Sequence, residues 1–159
     1  ETKSSATWHN NVAILARENG RPDLAVYAAK RAYRAGITLI QEGYPVLNTS
    51  KNSKVDLALL YALIRQESAF NIKAVSHAGA RGLMQIMPFW KKELGREDDN
   101  FANIETNLRY GCTILRFYLD KEKGHLSRAL ARYNGSTGKT WYPEKVMTKW
   151  QDYWLSGQA

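Results

Sequence analysis

Glu67 closes an apolar run that opens at Val55, and a glycine-rich stretch follows it, Ser76-His77-Ala78-Gly79-Ala80-Arg81-Gly82-Leu83-Met84-Gln85-Ile86-Met87-Pro88. Within the run, Leu60, Leu63, Ile64 and Glu67 recur at the i, i+3, i+4, i+7 spacing of one helix face, so the carboxyl group points where Leu and Ile point. Burial disfavours the charged form of a carboxylate and raises its pKa, which is what a general acid working near neutral pH requires. A structural glutamate, salt-bridged at a helix end, would occupy the same place, because ion pairs also bury carboxylates. The residue alone is compatible with both. In the stretch that follows, Gly79 and Gly82 permit positive φ angles and a close approach of backbone to ligand. Gln85 offers an amide and Met87 an adaptable thioether wall.

Several ordered blocks narrow the choice. Glu67-Ser68-Ala69-Phe70-Asn71, Ala74-Val75-Ser76 and Gly79 to Pro88 resemble the signature of the soluble lytic murein transglycosylases (SLT domains, goose-type-lysozyme-like), which cleave bacterial peptidoglycan. Asn107-Leu108-Arg109-Tyr110-Gly111 resembles that family's third motif, and Ala129-Leu130-Ala131-Arg132-Tyr133-Asn134-Gly135 its fourth. The resemblance spans residues 55–134, and Gly-Leu-Met-Gln-Ile-Met-Pro is its most specific block.

The resemblance implies a lysozyme-like helical domain with a substrate cleft, acting on peptidoglycan glycan strands in the periplasm or cell envelope of a bacterium. It implies Glu67 as the one catalytic residue. The acid would protonate the leaving oxygen of the MurNAc-GlcNAc β-1,4 bond and then, as carboxylate, take a proton from the muramyl C6 hydroxyl. That hydroxyl attacks its own anomeric carbon and leaves a 1,6-anhydromuramyl end, with the substrate's N-acetyl carbonyl assisting. For substrate binding the resemblance implies Ser76, bonded to the acid and the N-acetyl group. It also implies Gly82, whose carbonyl would face a sugar, and Gln85 and Met87, lining the muramyl subsite. Tyr133 would bring its hydroxyl to the acid. Without the resemblance, Ser76 reads as a turn former and Tyr133 as a core residue.

Two departures from the family pattern stand out. Gly135-Ser136-Thr137-Gly138 replaces the usual Ala-Gly-Pro continuation after Asn134, and Trp90 stands where a small threonine is common. Two rival readings keep the same cleft. A goose-type lysozyme-like hydrolase would use water and would call for a second positioned carboxylate, whereas Asp98, Asp99 and Asp120 read as exposed. A non-catalytic peptidoglycan-binding protein would not need the acid.

The elements that must position these residues read as helices throughout. Val12, Ile14 and Leu15 lead to a stop at Asn19-Gly20, and Pro22-Asp23 opens an alanine-rich run to Ala35-Gly36, a helical hairpin. It resembles the end of an α-superhelical region and sets a boundary, 1–45 for the hairpin and 46–159 for the catalytic domain. The segment from Tyr44 to Lys54 reads as a linker. Ser53 with Asp56 forms a capping-box pattern before the Glu67 helix. Pro88 opens a helix that Gly95 ends, and Ile104 to Leu119 mark a long amphipathic helix closed near Gly124. Ser127 can cap a helix to Tyr133, and Pro143 starts another through Val146, Met147 and Trp150. No β-branched alternation with hairpin turns is present, so the fold class is all-α.

Composition adds bounds. The 159 residues suffice for one core, and the formal charge of +8 favours an anionic partner without naming one. The basic residues are scattered without a nucleic-acid module, so no nucleic acid is expected. No apolar stretch approaches transmembrane length. Cys112 is the single cysteine and reads as a buried thiol, while His9, His77 and His125 are isolated, so neither metal nor cofactor is expected. Trp90, Trp141 and Tyr142 are candidate sugar-stacking platforms, with core packing as the alternative.

Overall fold

The computed structural model describes residues 2–46 and 55–155. Helices α1 (Thr2–Glu18) and α2 (Pro22–Arg34) form the expected hairpin. Pro22 stands in the first turn of α2, where its missing N–H leaves no bond unmade. Ala25, Val26, Ala28, Ala29 and Ala32 bury the inner face of α2. A short helix absent from the sequence reading, α3 (Ile40–Gly43), follows. It ties the hairpin to the rest of the molecule from both sides. Arg17 pairs with Glu42 at 2.6 Å, while Arg65 of the next helix donates Nε to the Gly43 carbonyl at 2.8 Å and lies over the Tyr44 ring.

Helix α4 (Leu57–Glu67) is the axis of the remaining domain. Leu59 through Ile64 are all almost fully buried, so the helix is apolar around its circumference and must be packed on every side. Leu59, Leu60, Leu63 and Ile64 each contribute about 2 kcal/mol of burial. The cap differs from the expected one. Asp56 itself accepts the Leu59 N–H at 2.9 Å, so α4 begins at Leu57, and Ser53 lies outside the described residues together with most of the expected linker.

Helix α5 (Trp90–Leu94) ends at Gly95 as expected, and α6 (Ile104–Lys121) is capped by Asn103, whose side chain accepts the Thr106 N–H at 2.9 Å. Helix α7 (Leu126–Asn134) starts one residue before Ser127, after His125 and with no side-chain cap, so Ser127 lies inside the helix. Helix α8 (Trp141–Lys149) carries Pro143 in its first turn and runs into a π-helical segment, Trp150–Leu155. Trp150 Nε1 reaches Asp56 at 3.2 Å, joining the end of the chain to the start of α4. Among the described residues there is no strand, only antiparallel bridges of Arg81 with Val75 and with Ile86. The all-α expectation therefore holds. No described helix is long and apolar enough to cross a membrane.

Candidate active site

Glu67 is the last residue of α4, and the chain turns sharply after it. Ser68 caps the helix through its N–H on the Ile64 carbonyl at 3.0 Å, and Ala69 and Phe70 then adopt φ of 50° and 65°. Left-handed backbone at two consecutive non-glycine residues is unfavourable. Burial of the Phe70 ring, close to Tyr61, offsets it. The reversal leaves the Glu67 side chain half-buried rather than swept into solvent.

The Glu67 carboxyl accepts a short hydrogen bond at Oε1 from the hydroxyl of Tyr142 on α8. Desolvation raises its pKa to about 7, against the smaller opposing pull of that bond. No second carboxylate acts on it among the described residues. Asp98 and Asp120 are exposed and paired with arginines, as the sequence suggested, but Asp99 is not. The Asp99 side chain is largely buried, accepting bonds from the Tyr110 hydroxyl, the Arg96 N–H and Arg109. Tyr142 is 1% exposed, and burial followed by the Glu67 charge lifts its hydroxyl well above the ordinary tyrosine range, so it remains a donor.

Across from α4, residues 71–88 form an irregular lobe. Arg81 and Ile86 exchange backbone hydrogen bonds at 3.0 and 2.9 Å, and Gln85 sits at φ 52° in the turn between them. Its side-chain Nε2 donates inward, to the carbonyls of Gly82 at 3.0 Å and Ala74 at 3.3 Å. The Gly82 carbonyl is thus engaged with Gln85. Gly82, at φ 77°, also packs so closely that a Cβ there would lie 2.2 Å from Asn107 Nδ2 and 2.3 Å from the Phe101 carbonyl. Ser76 Oγ accepts the Ala80 N–H at 3.0 Å, which closes its turn, and forms no hydrogen bond to Glu67.

One residue, Met84, locks the lobe to the helices through both of its backbone groups. The Met84 N–H donates to Asn107 Oδ1 on α6 at 2.8 Å, and the Met84 carbonyl accepts from the Tyr133 hydroxyl on α7 at 2.7 Å. Asn107, fully buried, also donates Nδ2 to the carbonyls of Arg81 and Phe101. Tyr133 therefore bonds to Met84, not to Glu67, yet it lies within electrostatic reach of the acid. Burial, then Glu67, raises its hydroxyl well above the usual range.

A groove of about 280 Å³ runs along this junction, bordered by Gln85, Met87, Trp90, Tyr118, Arg132 and Tyr133 among others. Of the residues the sequence singled out, Gln85, Met87 and Tyr133 meet there. Gly82 instead borders a separate cavity of about 400 Å³ with Arg81, Lys91 and Phe101. Two residues escaped the sequence reading in their actual roles. Tyr142 was a stacking candidate, and nothing in its spacing links it to an acid 75 residues earlier. Asn107 lay inside a quoted motif, and its signal was a polar residue on the apolar face shared by Ile104 and Gly111.

Fold and site together define a lysozyme-like helical domain built around one half-buried, protonatable glutamate. The chain belongs to the transglycosylase SLT domain family, which it matches over residues 45–154. It is similar to the transglycosylase of Enterobacteria phage PRD1, with 35% identity over 62% of this chain and 38% of the relative. It is also similar to the membrane-bound lytic murein transglycosylase C of Salmonella paratyphi B, with 33% identity over 58% and 30%. The fold matches the solved lytic transglycosylase Slt of Pseudomonas aeruginosa at a TM-score of 0.77 and 21% identity, over 93% of this chain and 30% of that one. The chain thus spans well under half the length of either relative, 38% of the first and 30% of the second.

Proposed function

We propose that the chain is a lytic transglycosylase domain that cleaves the MurNAc-GlcNAc β-1,4 bond of peptidoglycan and leaves 1,6-anhydromuramyl ends. The observation that carries this reading is Glu67, raised to about 7 by burial and with no carboxylate partner acting on it. A group of that kind is about half protonated at neutral pH and can act first as acid and then as base. Because Tyr142 donates to Oε1, the transferable proton belongs on Oε2. That proton passes to the glycosidic oxygen as its bond to the anomeric carbon breaks, and the substrate's N-acetyl carbonyl supports the positive centre. The C6 hydroxyl then forms the new bond to that carbon while its proton returns to Glu67. A tethered nucleophile of this kind has a large kinetic advantage over water, roughly 7 kcal/mol when well placed.

In this reading Gln85, Met87 and Tyr133 hold the muramyl sugar, and Ser76 and Gly82 shape the lobe that walls the subsite. The names of the relatives support the substrate class, and with it a place of action in the bacterial cell envelope. The test is mass spectrometry of products from purified wall. Muropeptides lighter by one water than their hydrolysed equivalents are expected. Reducing ends bearing solvent-derived oxygen would replace this reading with that of a hydrolase. Binding without any cleavage would leave a wall-binding module.

A further inference from the structure

Arg132 stands beside Tyr133 on α7 and borders the same groove. Its Nε is taken by Glu122, whose side chain is only 12% exposed, and this pair fixes the plane of the guanidinium. The two terminal nitrogens make no hydrogen bond with the described residues, and the side chain remains 37% exposed. The sequence lacks a reason for this arrangement in the cleavage chemistry, which uses no arginine. Next to it, Trp90 borders the groove, with the exposed ring of Phe89 5.2 Å away. A fork of two unused donors beside an aromatic wall is complementary to a carboxylate attached to an aliphatic or peptide backbone.

We propose that Arg132 and Trp90 form a subsite for a carboxylate-bearing peptide substituent of the glycan, so that this end of the groove selects strands by what hangs from the muramyl sugar. The inference rests on the glycan-cleaving reading above. The groove joins Gln85 and Met87, assigned there to the muramyl sugar, to Arg132. The lactyl ether is the point from which that sugar carries peptide, so a group reaching Arg132 extends from it. Glu122 keeps the fork oriented and leaves its outer edge to the ligand. The substitution of a bulky Trp90 for a small residue then supplies the apolar flank.

The experiment compares kcat/KM on glycan strands carrying free-carboxylate stem peptides with that on the same strands after amidation of those carboxylates. The parent chain is expected to favour the free carboxylates roughly tenfold, the worth of a charged hydrogen bond. The ratio should collapse toward one in Arg132→Met and be only partly kept in Arg132→Lys, which retains charge but not the fork. A parent ratio of one, or a ratio undiminished in Arg132→Met, overturns the proposal. Because Arg132→Met strands the Glu122 carboxylate, the paired variant Arg132→Met/Glu122→Leu is measured beside it, and the same ratios apply. If the parent cleaves neither substrate, the transglycosylase reading falls by itself. The subsite is then decided by the Kd of a muramyl peptide against that of its C-terminal amide, and equal values overturn it.

Discussion

The chemistry of the site depends on the ionisation of one side chain, and its direction gives sharp expectations. Burial favours the protonated form of Glu67 in the fold, so its contribution to stability is present below its ordinary pKa of 4.5 and is lost as pH rises through about 7. The fold therefore forfeits up to roughly 3 kcal/mol on going from acid to alkaline pH. Glu67→Gln keeps the shape and removes the titration. It should be more stable than the parent at pH above 7, as measured by urea unfolding, and should lower turnover by at least about 10²-fold. Comparing the two at one pH cancels Lys149, which burial lowers to about 8. Tyr142→Phe tests the other half of the pair. It removes the bond that pulls Glu67 down, so the alkaline limb of the kcat/KM profile should move to higher pH while turnover falls. A limb that stays put would dissociate Tyr142 from the acid. The placing of Glu67 on an apolar helix face was legible from its spacing to Leu60 and Ile64, and its role as acid was expected only from the family motifs that follow it. Tyr142 was not, since no local period connects residues brought together only by packing.

At the scale of elements, the lobe that walls the groove is bonded to the helices through the Asn107 amide on α6 and the Tyr133 hydroxyl on α7. Asn107 satisfies the Met84 N–H and the carbonyls of Arg81 and Phe101 at once, in a fully buried setting. Asn107→Ala takes their side-chain partner from the Met84 N–H and the Phe101 carbonyl, while Arg81 keeps the Ile86 N–H, and should destabilise the fold by about 3 kcal/mol, read from the urea midpoint. Activity should suffer at temperatures where the variant is still folded, because Met84 also receives Tyr133. Close approach of α6 depends on a second residue. A Cβ at Gly111 would fall 2.1 Å from Met84 Sδ, so only glycine lets the helix back onto the lobe there. The helices themselves were legible because periodicity, prolines and glycines mark them. Helix starts were less so. At Asp56 and His125 several polar residues compete as caps, and tertiary packing decides among them. Helix α3 is four residues long, too short for any period to show. The irregular lobe was legible only as a family signature, since its bonds run between side chains and backbone without a repeating pattern.

For the whole molecule, the site is a convergence of distant parts. Glu67 comes from α4, the groove walls from the lobe and α7, and the partner of the acid from α8, while the hairpin attaches through Arg17, Glu42 and Arg65. Contacts between α4 and α8 join residues far apart in the chain, and such contacts form late because loop closure precedes their reward. The Tyr142–Glu67 bond spans 75 residues, and the Trp150–Asp56 bond 94. Until α8 docks, Glu67 keeps more contact with water and an ordinary carboxylate pKa. A nascent chain still emerging from the ribosome therefore carries its acid in the ionised, idle form. The protonated acid on which the proposed cleavage relies thus exists only once α8 is in place.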